Sequence, residues 1–205
     1  MKFYYSPASP FVRKCMLVAH ERDLTSKLEL VTVSTTVVAP DPKLAEVNPL
    51  KRIPALVTDD GALLVDSRVI CAYLDALHDG KRLIPRSGPK RFEVMTLEAI
   101  ADGIADSAVN NRYETALRPA EKQWKEWSDG QMGKITSALD YLESQGTRSL
   151  GREPHLGSLA LGSALGYLDF RYPDWNWRRG RPKLKRWFEK LCERPSFMAT
   201  DPNKN

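Results

Sequence analysis

The chain has 205 residues, of which 42% are hydrophobic, and a formal net charge of +5 at pH 7. Such a chain can bury a sizeable core without crosslinks. Its three cysteines, Cys15, Cys71 and Cys192, lie far apart and form no CxxC pair, and its three histidines form no ligand-spaced pair. These spacings argue against a disulfide framework and against a metal site, and they fit a reducing compartment.

The chain shows no sign of a targeting or membrane segment. Its first ten residues, MKFYYSPASP, lack the apolar core of a signal peptide, and no apolar run is long enough to span a bilayer. The modest positive charge suits small anionic ligands. Basic residues cluster over residues 178–186, which we interpret as a solvated helix face with its approach loop. We therefore expect a cytoplasmic protein without membrane or nucleic-acid partners.

Residues 1–78 are predicted to form an α/β domain, because short β-rich runs alternate with amphipathic helices. The turn Asp59-Asp60-Gly61 predicts a hairpin between two of the strands. The predicted elements, in chain order, are strand Met1–Tyr5, helix Phe11–Arg22, strand Leu28–Val33, one or two helical turns at Asp41–Val47, strands Ala55–Thr58 and Ala62–Val65, and helix Ser67–Leu77. The order is β-α-β-α-β-β-α.

The rest of the chain is predicted to be helical. Residues 79–90 are rich in Gly, Pro and charge, which is typical of a linker, and residues 91–205 would form an all-α domain. The predicted helices are Phe92–Ala116, a second that starts close to Pro119 and runs to about Ser144, the apolar and therefore central Leu156–Phe170, and Arg181–Cys192, which Pro195 ends.

The first candidate functional motif, YYSPASPFVRK at residues 4–14, joins a strand to a helix. Ser9 falls at the predicted N-cap and Pro10 at the first helical position. A helix start offers unpaired N–H groups and the positive end of a dipole, so it attracts anions, including thiolates. The segment offers a hydroxyl and no thiol, which excludes dithiol chemistry at this position.

Two further motifs follow. Ile53-Pro54, directly before a strand, is a candidate cis bond that would leave the Ile53 backbone able to pair with an extended peptide. Asp66-Ser67 precedes a helix that Ser67 is expected to cap. The pair offers a carboxylate for an ammonium group and N–H donors for a carboxylate, which are the two charges of a free amino-acid end.

In this order and spacing, the three motifs resemble the N-terminal half of a glutathione transferase. SPFVRK resembles the serine-type motif of the tau class and of related bacterial proteins, NPLKRIPAL resembles the family's segment with the cis proline, and Asp66-Ser67 resembles its acidic residue and serine. ALGYLDFR, at residues 164–171, resembles the late helix of bacterial relatives. The resemblance covers nearly the whole chain. It implies a thioredoxin-like first domain, an all-helical second domain and a homodimer.

The resemblance also implies an enzyme that activates the thiol of glutathione for attack on a small electrophile, with detoxification as its role and without a metal. Ser9 would hydrogen-bond the glutathione sulfur, with Tyr5 and Ser6 as rivals for that role. Ile53 and Pro54 would hold the cysteinyl part and Asp66 and Ser67 the γ-glutamyl end. Lys51 or Arg52 would reach the glycyl carboxylate, and the choice between these two stays open.

Two alternative functions remain at this point. One is a binding or adaptor protein of the same fold without turnover, since fold does not determine function. The other is a glutathione-dependent reductase or peroxidase, in one version working through Cys15. Retention of all three motifs favours the transferase over the adaptor, and the missing CxxC weakens the thiol-based hypothesis.

In the second half, the resemblance places the co-substrate pocket along the first long helix, with Phe11 on the opposite side. The candidates are Asn110, Asn111, Tyr113 and Glu114, with Asn110 and Tyr113 preferred as substrate-binding residues. These side chains are polar and indicate a polar second substrate, whose identity stays open.

The late helix departs from the family. His155 and Ser158 stand where a Ser/Thr cap and an Asp are usual, so we expect an absent or altered capping box and a weaker helix start.

Overall fold

The computed structural model describes residues 1–151 and 153–204. Its first half has the predicted order of elements, with bounds that differ by at most one residue because strand and helix ends are set by pairing. The elements are β1 (Lys2–Tyr5), α1 (Pro10–Glu21), a 3₁₀ turn (Thr25–Lys27), β2 (Glu29–Thr32), α2 (Pro42–Val47), β3 (Ala55–Val57), β4 (Leu63–Leu64) and α3 (Ser67–Ala76).

The strands form one mixed sheet in the order β2-β1-β3-β4. Strand β1 runs parallel to β2 and antiparallel to β3, and β3 pairs with β4 as the predicted antiparallel hairpin. Because antiparallel neighbours alternate in direction, the end of β1, the start of β3 and the end of β4 lie at the same edge of the sheet.

The second half is helical, as predicted. It contains α4 (Pro89–Ala116), a 3₁₀ turn (Ala120–Lys122), α5 (Lys125–Gln145), a 3₁₀ turn (Arg148–Leu150), α6 (Leu156–Arg171), α7 (Pro182–Cys192) and α8 (Pro195–Ala199). Together with the sheet and its helices, this is the two-part architecture that the resemblance implies. None of the helices among the described residues is long and apolar enough to cross a membrane.

Two prolines act differently from the sequence-based prediction. Pro119 precedes the 3₁₀ turn, and α5 begins only at Lys125. Pro195 does follow α7, but it also starts the short helix α8 as its first helical residue. The carboxylate of Glu21 on α1 accepts hydrogen bonds from Arg194 Nε at 3.0 Å and from Ser196 Oγ at 2.6 Å, so the chain turns back into a helix docked on α1.

Helix α6 lies at the centre of the protein, as its apolar sequence predicts. One continuous apolar cluster contains side chains of the sheet, of α1 and α3, and of the helices of the second half. Glycines allow the close approach: a Cβ on Gly157 would lie 2.6 Å from the backbone oxygen of Val94, and one on Gly162 would lie 2.5 Å from the Phe197 ring. A smaller cluster on the other face of the sheet includes Tyr4 and Leu44.

The segment between the halves is docked against the body of the protein. The buried Asp75 carboxylate accepts from the backbone N–H groups of Leu83 at 2.9 Å and Ile84 at 3.0 Å, and from Arg22 Nε at 2.9 Å. The carbonyl of Leu83 in turn accepts from the backbone N–H of Leu156, the first residue of α6. The predicted linker therefore helps to place the central helix.

The capping box of α6 is altered, as expected, and both of its hydrogen bonds are present. His155 Nδ1 accepts from the Ser158 backbone N–H at 3.3 Å, and Ser158 Oγ accepts from the His155 N–H at 2.9 Å. The other ring nitrogen, Nε2, lies 3.0 Å from the Ser149 carbonyl. A neutral imidazole protonated at Nε2 satisfies both contacts, so histidine performs the task of the usual serine or threonine.

Capping by His155 should make stability depend on pH. Burial lowers the pKa of His155 despite the opposing bond to the Ser149 carbonyl. Because the folded pKa lies below the unfolded value, the contribution of the cap is complete above about pH 6.5 and is lost as pH falls through the folded pKa. Relative to His155→Asn, which caps without titrating, the wild type should lose stability between about pH 7 and pH 5.

Thermal unfolding of the two proteins across this pH range tests the expectation. His155→Ala serves as the control, since it lacks the cap at every pH and should cost about 1 kcal/mol at pH 8. That difference should shrink towards acidic pH. Parallel curves for the wild type and His155→Asn would contradict a titrating cap.

Candidate functional site

The sheet register brings the three predicted motifs to one edge. Tyr4 pairs with Ala55 across β1 and β3, and Leu56 pairs with Leu64 across β3 and β4. The segment that leads from β1 to Ser9, the Ile53-Pro54 segment before β3, and Asp66-Ser67 after β4 therefore leave the sheet side by side. Helices α1 and α3 both begin at this edge, so their N–H groups and positive dipole ends face the same region.

Ser9 is the N-cap of α1, and Pro10 is the first helical residue, as predicted. The partly exposed Ser9 accepts a hydrogen bond at Oγ from the Val12 N–H at 3.3 Å. A hydroxyl has one proton and two lone pairs, so a capping serine still has a proton to donate. Its rivals are placed differently: Tyr5 packs against the core, and the Ser6 carbonyl accepts from the Ser9 N–H in the preceding turn.

The Ile53-Pro54 peptide bond is cis, as the motif suggested. Asn48 shapes the loop before it, donating from Nδ2 to the Arg52 carbonyl at 2.7 Å and accepting at Oδ1 from the Leu50 N–H at 3.0 Å. Lys51 has a left-handed backbone, with φ of 53°, and both Lys51 and Arg52 are exposed. The loop thus presents two cationic side chains beside Ile53, and neither is favoured over the other.

The structure corrects the roles within Asp66-Ser67. Asp66 is the N-cap of α3, and its Oδ1 accepts from the Arg68 N–H at 3.0 Å. Ser67, expected as the cap, is the buried first residue of the helix. The reason is the extended backbone at Asp66, which also follows a cis bond from Val65. A carboxylate has further acceptor sites, so capping leaves Asp66 able to bind an ammonium group.

A cluster of buried charges lies behind the candidate site. Lys14 on α1 is only 1% exposed, and its Nζ contacts Glu98 Oε1 at 3.0 Å and Asp102 Oδ1 at 2.8 Å, both on α4. Arg68, directly after Ser67, reaches Asp102 Oδ2 at 2.9 Å. Burial lowers the pKa of Lys14 but the surrounding groups outweigh it, so the net shift is upward, and burial raises the pKa of Glu98. The cluster joins α1, α3 and α4.

The cysteines are placed as packing residues. Cys15 and Cys71 are fully buried with their sulfurs 3.7 Å apart, and burial together with Cys71 raises the pKa of Cys15 well above its usual value. Burial raises the pKa of Cys192 to about 11. Since the thiolate is the reactive form, both raised pKa values disfavour chemistry by the protein's own sulfur. No group of three or more potential metal ligands occurs within residues 1–151 and 153–204.

The predicted co-substrate residues separate into different environments. Phe11, in the first turn of α1, is partly buried against the core, and Tyr113 is partly exposed on α4. Asn110 lines a cavity of about 510 Å³ between α4 and α5. Asn111 and Glu114 are buried and have structural partners.

Those partners account for the polar character of this stretch of α4. Asn111 Nδ2 donates to the Tyr172 hydroxyl at 3.2 Å. Glu114 accepts from Arg118 Nε and from the Trp124 backbone N–H, both at 2.7 Å. Asn111 and Glu114 therefore hold helices together. Their polar character does not indicate which substrate binds.

Sequence reasoning missed two polar residues of α6. Tyr167 and Arg171 lie on one face of the helix, one turn apart, in its last turns. Their i, i+4 spacing was the available signal, but an apolar helix conceals it.

Comparisons with known proteins agree with this geometry. Residues 3–82 match the family model "Glutathione S-transferase, N-terminal domain", and residues 125–190 match "Glutathione S-transferase, C-terminal domain". The uncharacterized GST-like protein YibF of Escherichia coli is 34% identical over the full length of both chains. Glutathione S-transferase F13 of Arabidopsis thaliana is 26% identical over 98% of this chain and 95% of its own.

Solved structures are similar over almost the whole fold. A glutathione transferase family member from Pseudomonas fluorescens Pf-5, with bound glutathione, is 46% identical with a TM-score of 0.96, covering 98% of each chain. A structure of a Pf-5 family member with bound S-(propanoic acid)-glutathione is 44% identical with a TM-score of 0.92 over the same shares.

Removing Lys14 should destabilise the protein strongly. Lys14→Met keeps the side-chain length but leaves the buried carboxylates of Glu98 and Asp102 with too little positive charge, which typically costs about 3–5 kcal/mol. Lys90→Met is the matched control, because Lys90 is 54% exposed in its ion pair with Glu93 and should contribute less than about 1 kcal/mol. Urea unfolding measures both, and equal free energies of unfolding for the two variants would contradict the assigned importance of the cluster.

Proposed function

Because the chain belongs to the glutathione S-transferase family, we propose that it binds glutathione at the sheet edge and activates its thiol for attack on a small electrophile. One observation carries this proposal: Ser9, Ile53-Pro54 and Asp66-Ser67 lie side by side at two helix N-termini. Relatives with bound glutathione support it. We further propose a cytoplasmic detoxification enzyme as its setting.

In the proposed complex, each part of glutathione meets a group of matching chemistry. The Ile53 backbone pairs with the cysteinyl part as a sheet edge does. The Asp66 carboxylate takes the γ-glutamyl ammonium, and the N–H groups at the start of α3, where Ser67 lies, take the carboxylate of that end. Lys51 or Arg52 neutralises the glycyl carboxylate. These contacts place the sulfur at the start of α1, beside the Ser9 hydroxyl.

Ser9 acts in this mechanism as a hydrogen-bond donor to the sulfur. A free thiol has a pKa near 8.5, and lowering it by about two units requires roughly 2.7 kcal/mol of preference for the thiolate. A hydrogen bond to a charged group contributes about 1.5–3 kcal/mol, and a helix N-terminus adds about 0.3–1 kcal/mol. Together these suffice. The thiolate then forms a bond to the electrophilic carbon.

The alternatives have weaker support. An adaptor without turnover has no need of Ser9 at a helix start together with both binding motifs. A reductase or peroxidase working through Cys15 would need a thiol that glutathione or peroxide can reach, whereas Cys15 and Cys71 are fully buried. Reduction that uses only the glutathione thiol remains compatible with the same site.

Ser9→Ala should reduce kcat/KM for conjugation of 1-chloro-2,4-dinitrobenzene by about 10- to 100-fold, because one charge-assisted hydrogen bond is lost. Glutathione affinity, measured by calorimetry, should change little. The pH-rate profile of kcat/KM should shift towards the pKa of free glutathione, about two units higher. That shift distinguishes thiol activation from simple loss of the cap.

Two further variants complete this test. Ser9→Thr retains both the cap and the hydroxyl donor and should keep most of the activity. Ser6→Ala, three residues earlier in the same loop, is the matched control and should behave like the wild type. Full activity in Ser9→Ala with an unchanged pH profile would refute the role of Ser9.

We also propose that the chain forms a homodimer. Val69 on α3, with Phe92 and Met95 on α4, leaves large apolar side chains exposed on the isolated chain. Burying such side chains against a second copy is favourable. Light scattering should give twice the chain mass, and a monomer at micromolar concentration would contradict the proposal.

A further inference from the structure

The middle of α6 contacts the start of α1, where Ser9 and Phe11 lie. Ser163 Oγ donates to the Pro10 carbonyl at 2.6 Å, and the surface of Gly166 is covered by the guanidinium of Arg13. Tyr167 follows Ser163 by one helical turn, about 5.4 Å along the axis. Tyr167 and Arg171 follow Ser163 along α6 at intervals of four residues, which places them one and two turns beyond this contact.

Tyr167 is buried without a partner for its hydroxyl. Its side chain is 6% exposed, yet the hydroxyl makes no hydrogen bond with the described residues. Tyr172, five residues later, is the contrast: its hydroxyl donates to the Ala108 carbonyl at 2.5 Å and accepts from Asn111. Unlike Arg171 Nε, the Tyr167 hydroxyl is not a fully buried atom, so it reaches the surface with its proton free to donate to a ligand.

Arg171, one turn further, has an unpaired donor that is fully buried. Within residues 1–151 and 153–204, one buried side-chain nitrogen or oxygen has no hydrogen-bond partner, and that atom is Arg171 Nε. The guanidinium stacks on the Phe170 ring at 4.1 Å, which holds the group in place without satisfying its N–H donors. An unpaired buried donor costs free energy, more so when it carries charge.

Arg171 has no ion pair among the described residues, and two carboxylates of α6 and α4 are engaged with other partners. Asp169 accepts from Trp177 Nε1 at 2.8 Å and from Arg178 at 2.6 and 2.7 Å. Glu114 is held by Arg118 and the Trp124 N–H.

The charges around Tyr167 favour an anion. Burial raises the pKa of Tyr167 to about 12, so its hydroxyl stays protonated at neutral pH and can donate. Arg171 and the exposed Arg112, at the end of α4, act on Tyr167 in the opposite direction, as cations do, while Tyr113 and Tyr172 add to the upward shift. Hydrogen-bond donors and positive charge thus lie together around Tyr167, at the end of α6.

We propose that Tyr167 and Arg171 bind a carboxylate of the electrophilic co-substrate, so that the preferred substrates are small carboxylate-bearing electrophiles. This inference rests on the proposed function, because it places the anion beside the sulfur that Ser9 activates. The Tyr167 hydroxyl and Arg171 Nε donate to the carboxylate, and Arg112 adds attraction from α4. A neutral electrophile would leave both donors unpaired.

An unsaturated ester that also carries a carboxylate, such as a fumarate monoester, illustrates the chemistry, with α and β counted from the ester carbonyl. The thiol proton leaves to solvent, and a sulfur electron pair forms the S–C bond at the β-carbon. The π electrons of the C=C bond move to the α-carbon, which takes a proton from solvent. The net change is addition of the thiol across the double bond, with no oxidant and no leaving group. Held at its carboxylate, the substrate presents the β-carbon to the sulfur.

Calorimetry with two product-like probes tests the inference. S-(2-Carboxyethyl)glutathione and S-propylglutathione have similar size and differ in the terminal charge. The wild type should bind the carboxylate probe about 10- to 100-fold more tightly, as expected for charge-assisted hydrogen bonds in a buried site. In Arg171→Gln and in Tyr167→Phe, the ratio of the two affinities should fall towards one.

Arg186→Gln is the matched control, because it removes the same charge from an exposed position on α7 and should retain the wild-type ratio. The wild-type comparison needs no variant, so it remains decisive even if Arg171→Gln fails to fold. Equal affinity of the wild type for both probes, with glutathione still bound, overturns this inference alone. Failure to bind glutathione overturns the proposed function as well.

Turnover gives an independent measure. Monomethyl fumarate carries a carboxylate, whereas dimethyl fumarate is neutral and of similar shape. For each compound, kcat/KM divided by the uncatalysed rate constant should be about 10-fold or more higher for the monoester in the wild type, and this preference should be lost in Arg171→Gln. An equal or greater enhancement for the diester overturns the inference.

Discussion

The ammonium of Lys14 is enclosed by protein, and two carboxylates of α4 compensate its charge. Taking ions out of water costs several kcal/mol each, which is recovered only when the geometry pairs all of them. Helices α1 and α4 are therefore restricted to the alignment that delivers Glu98 and Asp102 to Lys14. Arg68 brings α3 into the same arrangement through Asp102. The cluster therefore fixes the relative positions of the starts of α1 and α3, where the candidate site lies.

This constraint matters because the site has few groups of its own to orient a ligand. Its donors are a capping hydroxyl at Ser9, backbone N–H groups at two helix starts, and a loop with a cis proline. Such groups are effective only when they are preorganised, since reorientation would consume the free energy that the hydrogen bonds supply. The protein's own sulfurs at Cys15 and Cys71 are packed in the core, on α1 and α3. An external thiol suits the remaining chemistry.

The polar residues of α4 and α6 differ in whether they have hydrogen-bond partners. On α4, Asn111 donates to Tyr172 at the end of α6, and Glu114 accepts from Trp124 at the start of α5. These bonds hold the neighbouring helices in place. On α6, Tyr167 and Arg171 are left with unsatisfied donors in a largely apolar setting. A fully satisfied polar network stabilises a fold, whereas unsatisfied buried donors cost stability and are expected where a ligand completes them. The polar residues of α4 are thus engaged within the fold, whereas the two on α6 carry the donors that we propose for ligand binding.

Local chemistry accounts for most of what could be predicted. Ser9-Pro10 predicts a helix start, the turn before Ala62 predicts a hairpin, and the apolar run of α6 predicts a central helix. The structure confirms all three predictions. The errors share one cause. Whether Asp66 or Ser67 caps α3, and where α5 begins after Pro119, depend on backbone angles and neighbours remote in sequence.

The sequence by itself determined the order of elements, the two-part composition and the three motifs, because periodicity, caps and turns act over a few residues. Only the tertiary structure decided that these motifs share one edge, since this depends on strand register across 60 residues of chain. It also decided which polar residues are satisfied. Burial and hydrogen bonding distinguish Tyr167 from Tyr172, although both are tyrosines near the end of the same helix.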